Sequence, residues 1–352
     1  MIDHGVDRVV IDGSYGEGGG QILRTALALS VIFKKPLTLH RIRAKRRNPG
    51  LGHQHLMAVN ALAQVSGAKV EGNAIGSQTL TFIPGEVCPG NFEFRIGTAG
   101  SVTLLLQALL LPLCLSPKGS RLVLEGGTHV PWSPPFQYLS DVLFPTLHSM
   151  GIPVEGKIDH WGWYPKGGGI IQVEIGPSLS LTPISLLERG SVRSIRGFSA
   201  ASLLRKDVKE RQRDEALRGI YKEMKMEAEI RILPDIPSRG PGSFLFLMAE
   251  CDGAVAGFSS LGERGKQAEE VAREAVDALK DYLEAGGCID PHLADQLAPI
   301  MALAKGKSSF TTTRITEHLL TNLWVVQHFK KNMKISLMGE KGREGKVELF
   351  NE

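Results

Sequence analysis

GAKVEG at residues 67–72 returns as GIPVEG at 151–156, and VVIDGS at 9–14 returns within FRIGTAGS at 94–101. Gly67 to Gly151 and Gly13 to Gly97 are both steps of 84 positions. Two independent anchors at one offset point to an internal repeat, the feature that governs everything else in a fold built from copies.

Between the anchors the two copies correspond. A glycine loop leads into an apolar helix (21–32, then 101–113). A short strand (36–40, then 120–124) and a proline-containing loop follow, then a second helix (53–65, then 135–150) and paired strands. Each copy therefore reads β-α-β-α-β-β. From Leu293 onward a third, diverged copy fits, with helices at 293–303 and 317–329 and strands at 309–314, 333–338 and 346–349. In that register His318 stands where His55 stands in the first copy. Residues 186–285 do not fit it. They carry two charged helical stretches, DVKERQRDEALRGIYKEMK and KQAEEVAREAVDALKDYLEAGG, around strands at 228–233, 243–252 and 254–259. The second stretch ends on a glycine pair that reads as a helix stop. The expectation is an α/β (α+β) protein with a large domain of three repeats (1–185 and 286–352). A smaller α+β domain (186–285) interrupts the third repeat.

The composition is that of a globular chain: 42% hydrophobic, 22% charged, 6% aromatic and a formal net charge of +4 over 352 residues. So few aromatics argue against a broad base-stacking surface. The mild positive charge is compatible with an anionic ligand. Four scattered cysteines form no C-x-x-C pair, a spacing that supports neither a zinc site nor a disulfide framework. MIDHGVDRVV carries no leader-like apolar run, and the apolar run 102–115 is interrupted by Gln107 and Pro112 and too short to span a bilayer. A cytoplasmic location without membrane contact is expected.

DGSYGEGGGQILRT (12–25) places glycines at 16, 18, 19 and 20 between a strand and a helix, where free amides and the helix dipole suit an anion. The spacing is neither a Walker loop nor G-x-G-x-x-G, because Gln21 takes the last position. Glu17 would repel a phosphate there unless a divalent cation lay between them; the plainer reading is a tight turn with a solvent-facing acid. RIRAKRRNPGLGHQH (41–55) puts five basic residues in seven positions, suited to a polyphosphate or to a solvated loop. THVPWSPP (128–135) is a rigid loop that could wall a nucleobase or merely connect. HLADQ (292–296) offers an imidazole, a carboxylate and an amide on adjacent turns. Spacing alone does not choose among His53, His55, His129, His292 and His318. The residues read this way reach metal-assisted handling of a phosphate-bearing ligand.

Taken together, DGSYGEGGGQILRTALALS, RNPGLGHQHLMAV, GTAGSVTLLLQ, HLADQLAPIMALA and EHLLTNLWVV, in this order, resemble the RNA 3′-terminal phosphate cyclases over essentially the whole chain. The resemblance implies a ligase that uses ATP, with Mg²⁺ or Mn²⁺, on RNA ending in a 3′-phosphate. A histidine takes AMP and passes it to the 3′-phosphate. The neighbouring 2′-hydroxyl then closes a 2′,3′-cyclic phosphate.

Carried over residue by residue, the nucleophile falls on His318. Glu17, Arg24, Arg43 and His55 accompany it. Gln54, Gln107, Pro134 and the run His292, Leu293, Ala294, Asp295 and Gln296 fall on ATP-binding positions, and Glu17 and Asp295 on the metal. His292 departs from the tyrosine some relatives place against the adenine, and imidazole can stack in its stead. A homodimer is compatible with the resemblance. A non-catalytic cyclase-like ribosome-assembly factor would lack His318, Glu17 and Asp295. An enolpyruvyl transferase of related architecture would need no histidine nucleophile.

Overall fold

In the computed structural model, which describes residues 7–178 and 180–352, the chain opens with β1 (Val9–Asp12), α1 (Gly20–Phe33), β2 (Leu37–His40), α2 (His53–Ser66), β3 (Lys69–Glu71) and β4 (Leu80–Ile83). Residues 1–6, part of the stretch expected to hold no leader, lie outside the described residues. β1 and β2 are parallel, so a crossover is needed and α1 provides it. β4 pairs antiparallel with both β2 and β3, which sets the order β1-β2-β4-β3.

The next six elements repeat this plan: β5 (Asn91–Arg95), α3 (Val102–Cys114), β6 (Ser120–Gly126), a helical stretch, β7 (Val154–His160) and β8 (Gly169–Ile175), ordered β5-β6-β8-β7. The single helix expected over 135–150 is instead three pieces: α4 (Phe136–Tyr138), a π turn at Leu139–Leu143 and α5 (Phe144–Ser149). Pro145 explains it. With no N–H to give the Asp141 carbonyl, its ring forces the ladder to widen.

A short strand the sequence did not reveal, β9 (Ser185–Leu186), starts the third sheet. The chain then leaves through β10 (Val192–Ser202), α6 (Asp207–Met224), β11 (Glu229–Ile232), β12 (Gly242–Cys251), β13 (Val255–Leu261) and α7 (Ala268–Glu284). It returns with α8 (Pro291–Met301), β14 (Gly306–Thr312), α9 (Glu317–Phe329), β15 (Lys334–Gly339) and β16 (Gly345–Asn351). The sheet order β9-β14-β16-β15 matches the first two in both position and strand direction. The mixed α/β class expected from the sequence holds.

The repeated glycines have local reasons. Gly67 caps α2 at φ +58° and Gly151 follows α5 at φ +82°, a left-handed backbone that few side chains tolerate. The pair Gly286–Gly287 is different. α7 stops at Glu284 with Ala285 already extended, so no left-handed glycine ends it. A Cβ on Gly287 would lie 2.2 Å from the Thr312 carbonyl carbon, so close strand packing demands that glycine.

α1 packs against α2, α3 and α9, and α8 against α9, so the helices of the three repeats share one core. The sheet β11-β10-β12-β13 has two faces set by strand parity. Leu245, Leu247 and Ala249 face α6 and α7 in a separate apolar cluster, while Phe244 and Phe246 join the main core beside Trp161 and Phe198. No helix of the described residues is long and apolar enough to cross a membrane.

Candidate active site

The first two turns of α1, α2, α3, α8 and α9 converge on one cavity of about 1260 Å³. Converging N-termini bring positive dipole ends to one place, which favours anions. The volume exceeds what one drug-sized ligand takes, leaving room for two.

Glu17, Arg24, Arg43, Gln54, His55, Gln107, Pro134, His292, Asp295, Gln296 and His318 all line this cavity. Residues up to 301 positions apart in sequence therefore meet, Glu17 and His318 among them. Leu293 and Ala294 stand apart: they are buried in the core and seat α8 rather than line the cavity. His53 and His129 do not line it either; His129 is buried, with its ring flat against Trp161 at 3.8 Å.

The glycine loop is shaped by its neighbours. Gly16 and Gly18 are left-handed at φ +56° and +59°. A Cβ on Gly16 would meet Thr321 Oγ1 at 2.6 Å, and one on Gly20 would meet His55 Nε2 at 2.2 Å. Bare backbone is needed here even before a ligand arrives. The basic loop closes over the glycines: Lys45 donates to the Gly16 carbonyl at 3.2 Å and Arg46 to the Glu17 carboxylate at 3.1 Å. Arg43, itself at φ +52°, donates to the Gly50 carbonyl at 2.7 Å.

His318 sits in the first turn of α9, whose Thr316 cap accepts from Leu319 N at 2.9 Å. Its Nδ1 lies 3.8 Å from the Glu17 carboxylate. Burial in the cavity, with Arg24, His292 and Arg46 nearby, holds the imidazole below its ordinary range against the opposing pull of Glu17. A neutral ring keeps a nitrogen lone pair for nucleophilic attack. His55 is also neutral, pushed down to about 3 by burial and by Arg24 and Arg43. Its Nδ1 accepts from Gly52 N at 3.2 Å, so the Nε2 that faces Gly20 carries the proton. Arg24 is pushed down to about 10 by burial and stays a cation.

Asp295 is pushed up to about 8, chiefly by burial, with the Asp290 and then the Glu17 charge adding to it. Thr316 donates to its carboxylate, and Asn322 donates to its backbone carbonyl at 2.6 Å while accepting from Thr25 at 2.8 Å. One chain of bonds thus joins α1, α8 and α9. The start of α8 is fixed from below. Asp290, buried, caps it by accepting from His292 N and Leu293 N, and receives the Tyr138 hydroxyl at 2.7 and 2.9 Å. Gln107 donates to Gln296 across the α3–α8 contact.

Sequence reasoning missed Thr316, Asn322, Asp290 and Tyr138 as parts of this site, and had Arg46 only as one of the five basic residues of its loop. Asp290-Pro291 and Thr316-Glu317 do carry the signature of helix starts and could have been found that way. Asn322 and Tyr138 carry no comparable local mark.

Among the described residues no group of three or more His, Cys, Asp or Glu could hold a metal ion. Glu17 and Asp295 both line the anion-binding cavity, and Asp295 would have to lose its proton before the two could share a divalent cation. Two carboxylates suffice for an ion that takes its other ligands from phosphate and water, and are too few to cage one alone.

A sequence profile of the family described as RNA 3′-terminal phosphate cyclase matches residues 15–335. Proteins carrying that name are similar throughout. The one from Staphylothermus marinus is 43% identical over 347 residues, covering 97% of each chain. The one from Methanopyrus kandleri is 42% identical over 346 residues, covering 97% of this chain and 98% of its own. The one from Caldivirga maquilingensis is 45% identical over 326 residues, covering 91% and 92%. Fold, site and similarity together define the class as a ligase-type cyclase. The chain belongs to the RNA 3′-terminal phosphate cyclase family.

Proposed function

We propose that this protein converts an RNA 3′-terminal phosphate into a 2′,3′-cyclic phosphodiester at the expense of ATP. The observation that carries the reading is the neutral His318 beside Glu17 at the mouth of the glycine loop, inside a cavity lined by Arg24 and Arg43. Identity of 42–45% to proteins named for this activity supports it.

His318 Nε2 attacks the α-phosphorus of ATP, the bond to pyrophosphate breaks, and AMP stays on the ring as a phosphoramidate. Glu17 beside Nδ1 stabilises the positive charge the ring gains as the bond forms. Arg24 and Arg43 neutralise the phosphate oxygens. AMP then moves from nitrogen to an oxygen of the RNA 3′-phosphate, which gives that phosphate a leaving group and frees His318. The 2′-hydroxyl attacks the same phosphorus, loses its proton, and AMP departs. The hydroxyl is already adjacent, so closure needs no further binding. When bound, a divalent cation held by Glu17 and Asp295 would neutralise phosphate charge and polarise the phosphorus.

The ATP base is assigned to the cavity wall made by Pro134 and His292, with Gln54, Gln107 and Gln296 as polar partners. Residues 1–185 and 286–352 form the unit that carries this chemistry, and 186–285 the inserted unit. The separate apolar cluster under α6 and α7 supports that division.

An oligoribonucleotide with a 3′-phosphate, incubated with ATP and Mg²⁺, should acquire a phosphatase-resistant end. The same oligonucleotide with a 2′-deoxy terminal sugar should stop at the adenylylated end. Cyclic ends formed equally well without nucleotide, or no product from folded protein with either Mg²⁺ or Mn²⁺, would refute the proposal.

A further inference from the structure

Trp132 is anomalous in three respects. It is 97% exposed, whereas Trp161 and Trp163 are buried and Trp324 is half-buried against Tyr15. Its backbone is left-handed, φ +59°, a conformation that a bulky side chain adopts only under constraint. It also lines the same cavity as His318 and Arg46.

The constraint is visible on both sides. Upstream, Thr128 and His129 are buried, and their amides both donate to the Gly162 carbonyl, at 3.0 and 3.1 Å. Downstream, Thr103 donates to the Pro134 carbonyl at 2.7 Å, and Pro135 is buried. Within the turn, Ser133 Oγ donates to the Val130 carbonyl at 3.0 Å. A loop stiffened by Pro131, Pro134 and Pro135 thus holds one indole out in water, where its apolar area goes unburied. Strain that the surrounding structure maintains is a reason to look for a ligand.

We infer that Trp132 is a stacking platform for the base of the RNA's 3′-terminal nucleotide. This rests on the cyclase reading above. A nucleotide bound wholly within the cavity has its base against the inner wall, which for ATP is assigned to Pro134 and His292. RNA is a polymer whose reacting end alone enters, so its chain must cross the rim, where the indole stands. Arg46, which lines the same cavity, supplies positive charge for its backbone. Stacking on an indole reads no base edges, so the platform tolerates any terminal base.

The test measures KM for a 3′-phosphorylated oligoribonucleotide and for ATP in wild type, Trp132→Ala and Trp132→Phe. Trp132→Ala should raise the RNA KM roughly tenfold to a hundredfold, with Phe recovering most of the loss and the ATP KM moving far less. RNA should also quench the fluorescence of the wild type, and Trp132→Ala should lose that quench. An unchanged RNA KM in Trp132→Ala overturns the inference. So does an ATP KM that rises in step, which would give the indole to adenine, or a wild-type dimer that Trp132→Ala dissolves with RNA affinity intact. No cyclic product from the wild type would instead sink the cyclase reading itself, which the wild-type reaction reports separately.

Discussion

The Glu17 carboxylate lies 3.8 Å from Nδ1 of His318 and 3.1 Å from the Arg46 guanidinium. An acid inside a glycine loop thus faces the imidazole on one side and the basic loop on the other. Glu17→Gln keeps the size and removes the charge. The rate of AMP transfer to the protein should fall on the order of a hundredfold or more, as expected when a charge aimed at a developing cation is deleted. Rapid-quench measurement of protein-bound AMP checks this; a rate within a factor of three of wild type contradicts it.

Gly20 has no room for a methyl group, because its Cβ would fall 2.2 Å from His55 Nε2. Gly20→Ala should cost about 1–3 kcal/mol in urea unfolding, the usual penalty of overpacking. In a His55→Ala background the same substitution should cost much less, since its clash partner is gone. Equal costs in both backgrounds would show that His55 does not occupy that space.

Tyr138 spends its hydroxyl on both oxygens of Asp290, the buried cap of α8. Tyr138→Phe leaves those oxygens short of a donor and should destabilise the protein by about 1–3 kcal/mol. The start of α8 carries His292, Asp295 and Gln296, so the ATP KM should rise as well. Stability lost with no change in ATP KM would limit the pair to a structural role.

His129 is buried and pushed down to about 3 from 6.5, because burial disfavours the imidazolium. The folded chain therefore binds a proton less readily than the unfolded one. The associated stability is present above pH 6.5 and is lost as pH falls from there toward 3. Between pH 7 and 5 the loss from this residue should be roughly 2 kcal/mol. His129→Asn should be less stable at pH 7, with a gap to wild type that narrows at pH 5. Parallel urea midpoints at the two pH values would contradict the assignment.

Much of this was legible from the chain. Apolar periodicity located α1, α3 and α9, and the offset of 84 positions tied Gly67 to Gly151, both of which occupy left-handed turns after helices. What escaped had non-local causes. β9 is two residues long and owes its existence to pairing with β14, which follows it by more than a hundred positions. The broken helix at 136–149 turns on one missing amide at Pro145. Asn322 and Tyr138 matter through partners brought near by tertiary packing, and an isolated asparagine or tyrosine announces none of them. The glycine loop was read as a place for phosphate, and its φ angles and neighbours add a second cause in Thr321 and His55.

The central claim is that His318 carries AMP. Wild type and His318→Ala, with ATP labelled at the α-phosphate and Mg²⁺, would be denatured and assayed for label held on the chain. The account predicts label on the wild type that is acid-labile, alkali-stable and absent from His318→Ala. Label that persists in His318→Ala, or a folded wild type that takes none with either Mg²⁺ or Mn²⁺, would contradict it.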